Sequence, residues 1–184
     1  HLRHLNFPYI CIQKQNFYKV NKNLSVKVFG QTCATPLGPA AGPHTQLAQN
    51  IISSYLVGGR FMELKTVQIM DYLGTKKMIA KPCIDARDEG HNVEWSTEYT
   101  LEKAYDEYIK AWFAIHTIQA AFSGKVEEPD FIFNMSVGYN LEGIKQPKMQ
   151  TYINSMIDAS QHPLFAEYKA LLKDFIESNP LEGT

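Results

Sequence analysis

Three short groups of residues in this chain pair reactive side chains with backbone that a ligand could approach: Ala40-Ala41-Gly42, Lys65-Thr66 and Asn134-Met135-Ser136. The first carries almost no side chain and lies in a run of small residues and prolines from Thr35 to Pro43. A flat ligand can press against such backbone and use its N–H and C=O groups, so the group reads as a platform for a planar cofactor. It reads equally as a tight strand-to-helix turn. Lys65 brings a positive charge able to neutralise a reduced flavin or an acidic substrate. Its alternative is an internal ion pair with Glu63, two residues earlier on the same strand face. Asn134 can hydrogen-bond the edge of a pyrimidine-like ring or, as a buried amide, satisfy backbone. Ser136 shares its face.

Other reactive side chains read as structural. His44 and His116 are lone histidines, and His116 falls near the apolar stripe of a long helix. Asp85, Asp88 and Glu89 form a charge run of the kind that usually faces water. Cys11, Cys33 and Cys83 are odd in number, widely spaced and without a histidine cluster, so neither a disulfide framework nor a metal site is expected. The 18 basic residues nearly cancel the 19 acidic ones, leaving a formal charge of -1 and no electrostatic footprint for nucleic acid or an anionic membrane. No apolar run approaches the roughly 18 residues of a membrane span. A small molecule in a reducing, cytoplasmic setting is the expected partner.

These groups need elements to hold them. Residues 1–23 read as an irregular approach segment and 24–184 as the globular unit. Leu24, Val26 and Val28 alternate with polar residues before Gly30, which predicts a half-buried strand belonging to a hairpin. A helix is expected from an N-cap at Thr45 to Leu56, closed by Gly58-Gly59, and then a strand over 60–66. A long connection from Val67 to Trp95 reads as a lid or substrate loop. The spacing of Leu101, Tyr105, Tyr108, Trp112, Ile115 and Phe122 predicts a long helix. A strand over 130–134, a glycine-containing loop, a helix opening at Pro147 and a last helix over 163–176 complete the pattern.

Alternating strands and helices imply parallel strands joined by right-handed crossovers. A dinucleotide fold would place Gly-x-Gly-x-x-Gly after its first strand, and none is present, so a (β/α)8 barrel is favoured. Barrel sites lie at the C-terminal ends of the strands, where all three groups fall. Strand alternation points Glu63, Lys65, Asn134 and Ser136 inward, and Met62 and Leu64 toward the outer helices. The chain begins at His1 and stops soon after a helix-like stretch at Glu182-Gly183-Thr184. It therefore reads as an incomplete barrel, the N-terminal portion of a longer protein.

Pro36 to Gly42, followed a little over twenty residues later by Lys65-Thr66, resembles the dihydroorotate and dihydropyrimidine dehydrogenase family of FMN-binding barrels. The stretch from Cys33 to Gln46, with Glu94-Trp95-Ser96-Thr97-Glu98, is more closely similar to the selenate reductase subunit family, a bacterial relative of dihydropyrimidine dehydrogenase. The resemblance implies FMN lined by Ala40, Ala41 and Gly42, with Lys65 and Thr66 at its pyrimidine end and Asn92 and Asn134 near flavin or substrate. It also implies FAD, NADPH and iron–sulfur clusters in regions outside this chain, with the rest of the barrel and companion redox domains or subunits as partners. Where the family has Asn-x-Ser-Cys, this chain has Asn134-Met135-Ser136-Val137. The cysteine that serves some relatives as acid or base is thus Val137, which argues against pyrimidine turnover and leaves Ser136 as the catalytic candidate beside Lys65. Two functions follow: a flavin-dependent oxidoreductase subunit passing electrons to an acceptor, or a catalytically degenerate barrel serving as a docking or scaffold module in a redox complex. Selenate, a pyrimidine and a purine-related heterocycle all suit the first.

Overall fold

The computed structural model describes residues 16–65, 84–85, 96–97, 99–123, 129–138 and 140–179. Of the sequence-predicted features, Thr66, Asn92, Asp88, Glu89, Cys11, Cys83, most of the connection between 67 and 95, and the first 15 residues lie outside these.

Strands β1 (Val26–Val28) and β2 (Gln31–Cys33) form the expected hairpin, with Val28 opposite Gln31. The two residues between them, Phe29 and Gly30, both take positive φ, at 51° and 79°. That is the turn whose twist matches a two-residue hairpin, and it explains the glycine. Helix α1 (Ala48–Leu56) leads into strand β3 (Phe61–Lys65). The two-residue strands β4 (Ile84–Asp85) and β5 (Ser96–Thr97) pair in parallel. Helix α2 (Leu101–Ser123) leads to strand β6 (Ile132–Ser136). Helices α3 (Leu141–Ile144), α4 (Pro147–Ile157) and α5 (Pro163–Ser178) follow.

The sheet that organises the site is parallel. β3 pairs with β6 from Phe61↔Ile132 to Lys65↔Ser136. On the other side of β3, Leu37 and Pro39 run alongside as a concealed third strand: the Leu37 carbonyl accepts from the Arg60 and Phe61 N–H groups at 2.7 and 3.0 Å, and the Pro39 carbonyl from Glu63 N–H at 3.2 Å. The return bonds of a full ladder are missing for a chemical reason. Residue 39 has no N–H to give to the Phe61 carbonyl, and the Ala41 N–H, next in line, goes to the Glu63 carboxylate. Gly38 is required by this approach, because a Cβ there would overlap the Phe61 carbonyl oxygen.

β3 alternates as the sequence predicts. Met62 and Leu64 are buried, at 0% and 1% exposure, in a core with Ile51, Tyr55, Tyr108 and Ile115 from α1 and α2, while Phe61, Glu63 and Lys65 are half-buried on the opposite face. Trp112 of α2 sits edge-on to Phe131 and Phe133 at 5.0 and 5.3 Å, and Phe165 of α5 packs edge-on to Phe113 at 5.0 Å. Among the described residues, no helix is long and apolar enough to cross a membrane.

Several element boundaries differ from the sequence expectation. Leu24 does not join β1: it ends a 3-10 turn over Lys22–Leu24 and is exposed, and the strand starts at Val26. Thr45 is not the N-cap of α1. Its hydroxyl folds back on Gly42, accepting from that N–H and donating to that carbonyl, within a 3-10 turn over Pro43–Gln46. The helix starts at Ala48, whose N–H is capped from α2 by Glu107 Oε2 at 2.9 Å. β6 begins two residues later than expected, because Asp130 is held by the Arg60 guanidinium and the Tyr55 hydroxyl before the ladder starts. The glycine-containing loop holds the short α3, capped by Asn140, whose Oδ1 accepts from Gly143 N–H at 2.7 Å.

Candidate functional site

The C-terminal ends of β3 and β6 lie side by side, and their register sets Glu63 against Asn134 and Lys65 against Ser136. Paired residues of neighbouring parallel strands share a face about 4.8 Å apart. All four side chains are half-buried on the face away from the helices. The structure therefore brings Lys65 and Ser136 together, as the sequence predicts. The end of β3 is pinned from behind, since the Tyr108 hydroxyl of α2 donates to the Lys65 carbonyl at 2.7 Å. Val137, the next residue on β6, turns out to the surface.

The small-residue turn sits against the other edge of β3, and Glu63 fixes it there. Glu63 Oε2 accepts the Ala41 N–H at 2.8 Å, so this carboxylate orients the turn. Ala40 is exposed, Ala41 half-buried and Gly42 buried. Nothing in the sequence spacing points to this bond, because its partners are 22 residues apart. Of the predicted site residues, Ala40, Ala41, Gly42, Lys65, Asn134 and Ser136 converge on the strand ends, whereas Thr66 and Asn92 lie outside the described residues.

One residue read as structural joins them. The His44 imidazole lies so close over Gly42 that a Cβ there would stand 2.7 Å from Cε1 and 2.8 Å from Nδ1. Burial holds the His44 pKa below its ordinary value, the Ala40 carbonyl pulls it back up, and the Lys65 charge presses it further down. Burial and the nearby Lys65 charge thus both favour the neutral imidazole of His44. A lone histidine after Gly-Pro carries no spacing signal, and only the fold shows what it touches.

The remaining candidates keep structural roles. His116 is packed against Trp112 and Phe131, with its pKa lowered by burial. The Cys33 thiol is buried, donates to the Thr35 carbonyl and has its pKa raised by burial, all of which make it inert. Cavities of about 380, 390 and 440 Å³ lie beside Arg60 and Tyr18, beneath Phe133 and Met135, and between Tyr152 and His162. None of the three is lined by Ala40, Ala41, Gly42, Lys65, Asn134 or Ser136.

The family model described as "Oxidoreductase YgfK, N-terminal TIM-barrel domain" matches residues 10–182. Curated proteins named "Putative oxidoreductase YgfK" from Escherichia coli K12 and Escherichia coli O157:H7 are each 61% identical to the chain over 168 residues. The match covers 91% of this chain and 16% of each relative, so the chain spans about a sixth of the length of the relatives it matches. No solved structure matches.

Proposed function

Because the chain belongs to the family of N-terminal TIM-barrel domains of the oxidoreductase YgfK, we propose that it is the flavin-binding barrel of an oxidoreductase, holding FMN against Ala40, Ala41 and Gly42. In this reading residues 24–184 are the N-terminal portion of a barrel of the dihydroorotate dehydrogenase type, completed by further strands of a cytoplasmic protein. Companion redox regions carrying FAD, NADPH and iron–sulfur clusters exchange electrons with it, as the likeness to selenate reductase subunits suggests. The observation that carries the proposal is the pairing of Lys65 with Ser136 at the strand ends, beside a turn with almost no side chain.

The residues present fit such a group. Ala40 offers an exposed methyl on which a flat ring can rest, while the Ala41 N–H and the Gly42 N–H and C=O are already engaged by Glu63 and Thr45, so contact with the turn is by van der Waals surface. When bound, FMN supplies electron storage and hydride transfer. The protein's own part is positioning and charge. Glu63 locks the turn through Ala41 N–H, and Tyr108 locks the strand end that presents Lys65. The Lys65 ammonium stabilises negative charge that develops beside it, and Asn134, one pair further in, offers an amide to a ring edge.

The test is the visible absorption spectrum of the purified full-length protein, followed by the reduction potential of its flavin. Lys65→Met should lower that potential, because losing the positive charge disfavours an anionic reduced ring more than the neutral oxidised one. A protein without flavin would overturn the proposal and leave the scaffold reading. A flavin of unchanged potential in Lys65→Met would remove Lys65 from the site.

A further inference from the structure

We propose that the cavity of about 380 Å³ beside Arg60 and Tyr18 is a binding site for a small aromatic carboxylate, its head held by Arg60 and its ring by aromatic walls. The site lies at the opposite end of β3 from Lys65 and goes beyond the strand-end function.

Arg60 and Asp130 precede the paired strands β3 and β6, and both line the cavity. A guanidinium carries five N–H donors in one plane. Nε donates to Asp130 Oδ2 at 3.0 Å, and Nη1 donates to the Tyr55 and Gly59 carbonyls at 2.6 and 2.9 Å. Among the described residues, the Nη2 N–H groups take no part in these bonds. The side chain is 3% exposed and fixed along its Nε and Nη1 edges, which leaves the Nη2 edge to meet a ligand in the cavity that Arg60 lines.

A second polar group there is unsatisfied. The Tyr18 hydroxyl is buried with no hydrogen-bond partner among the described residues, and the Tyr18 ring centre lies 5.4 Å from Arg60 Cζ. The ring is held in place from two sides. Tyr18 N–H donates to the Leu56 carbonyl at the end of α1 at 2.8 Å, and a Cβ at Gly58 would stand 3.0 Å from the ring. Burying a hydroxyl without a partner is unfavourable, and a carboxylate oxygen beside Arg60 supplies the acceptor.

Charge sets the sign of the ligand. Arg60 and Lys19 are the cations lining the cavity and Asp130 is the anion, which leaves one net positive charge. Both Asp130 oxygens are engaged, Oδ1 by the Tyr55 hydroxyl at 3.2 Å and Oδ2 by Arg60. A monocarboxylate brings the balance to zero, whereas a cation or a dianion would leave uncompensated charge against apolar walls. Those walls select the body. The Phe17 and Phe122 rings stand 5.7 Å apart, and Val20 and Phe122 line the cavity while 50% and 47% exposed, so it opens to solvent at these side chains. An aromatic ring makes edge and face contacts with such walls that an aliphatic chain lacks. The volume lies near the lower end for small-molecule pockets, which suits a single-ring compound.

The experiment is fluorine NMR of fluorobenzoate with the full-length protein. The probe signal should broaden, and benzoate should restore it while benzamide, of the same shape without the charge, should not. Tyr18→Phe keeps the ring and should weaken binding roughly tenfold, the effect of one hydrogen bond to a charged group. Lys19→Met should weaken it a few-fold, and Val20→Trp should abolish it by narrowing the mouth. Lys19 and Val20 are exposed, so their replacement leaves the fold intact and a loss of binding there reports on the cavity. No broadening at millimolar probe, or equal competition by benzamide, would overturn the proposal. Binding unchanged in both Tyr18→Phe and Val20→Trp would also overturn it, by placing the carboxylate elsewhere on the full-length protein.

Discussion

Replacing Gly38 by alanine separates a tight packing requirement from a functional one. A Cβ at position 38 would overlap the Phe61 carbonyl oxygen, which is backbone in the central strand and cannot swing aside. The Leu37–Pro39 segment must then move off β3 and loosen the bonds from Arg60, Phe61 and Glu63 N–H at 2.7, 3.0 and 3.2 Å. At roughly 0.5–1.5 kcal/mol for each backbone hydrogen bond, losing all of them costs about 1.5–4.5 kcal/mol. The smaller entropy of the unfolded alanine chain returns about 0.4–1 kcal/mol. A net loss of about 2–3 kcal/mol follows, which for a domain of this size lowers Tm by roughly 4–12 °C. Gly42→Ala is the matched control, because its new methyl would meet only the His44 ring, the end of a side chain that can rotate. It should cost below about 1 kcal/mol, within the usual effect of a substitution that a side chain can absorb. Differential scanning calorimetry of the two variants beside wild type measures both. Gly38→Ala within about 0.5 kcal/mol of wild type would refute the concealed strand.

Arg60→Met should destabilise the fold by about 3–5 kcal/mol, because it strands Asp130 and the Tyr55 and Gly59 carbonyls that the buried guanidinium now satisfies; a denaturant midpoint moved by less than about 1 kcal/mol would contradict this. Glu107 supplies an acid-sensitive contribution: burial pushes its pKa up, but the bonds from Lys110 and Ala48 N–H outweigh burial and leave it below the ordinary 4.5. Its stabilisation is complete above the unfolded value and lost as pH falls through the folded one, so Glu107→Gln should flatten the decline of Tm below about pH 4.5. An unchanged acid limb in that variant would show that other carboxylates set it. Dihydroorotate and dihydropyrimidine turnover by the flavin-loaded full-length protein should be negligible, given Val137; robust turnover that collapses in Ser136→Ala would place the base on Ser136.

What could be read from the sequence is what repeats along it. The alternation of Phe61 to Lys65 predicts which side chains meet the helices, and the structure buries Met62 and Leu64 accordingly. The helical spacing from Leu101 to Phe122 and the prolines at 147 and 163 mark helices that form where expected. Contacts between distant residues leave no such trace. Pro36 and Pro39 disguise a strand as a loop, because its pairing uses carbonyls that any sequence supplies. Glu63 reads as a partner for Lys65 two residues away, yet it serves an N–H 22 residues earlier. The start of α1 is hidden for the same reason, since its cap comes from Glu107 on another helix, 59 residues away. His44 carries no pattern at all and gains its meaning from Gly42 beneath it and Lys65 beside it.

The sheet divides its labour between its two ends. At the N-terminal end, Arg60 and Asp130 form a nearly closed ion pair at 3.0 Å, with the guanidinium stacked 3.8 Å over the Tyr55 ring. Paired and hydrogen-bonded, these charges project little field. At about 3.3 Å per residue, five residues set Lys65 roughly 16 Å from Arg60, beyond a Debye length of about 8–10 Å. The potential at the mouth is therefore set locally, by Lys65, by a Glu63 carboxylate already engaged with backbone, and by whether His44 carries a proton. A substitution at Arg60 should change stability without moving the titration of His44, and one at Gly42 should move that titration at small cost in stability. Sites this far apart without shared partners contribute additively. The Arg60→Met, Gly42→Ala double variant should then show the sum of the single stability losses together with the His44 titration midpoint, read from carbethoxylation across pH, of Gly42→Ala alone. Coupling between the two would mean that β3 shifts as a rigid unit and carries Lys65 with it.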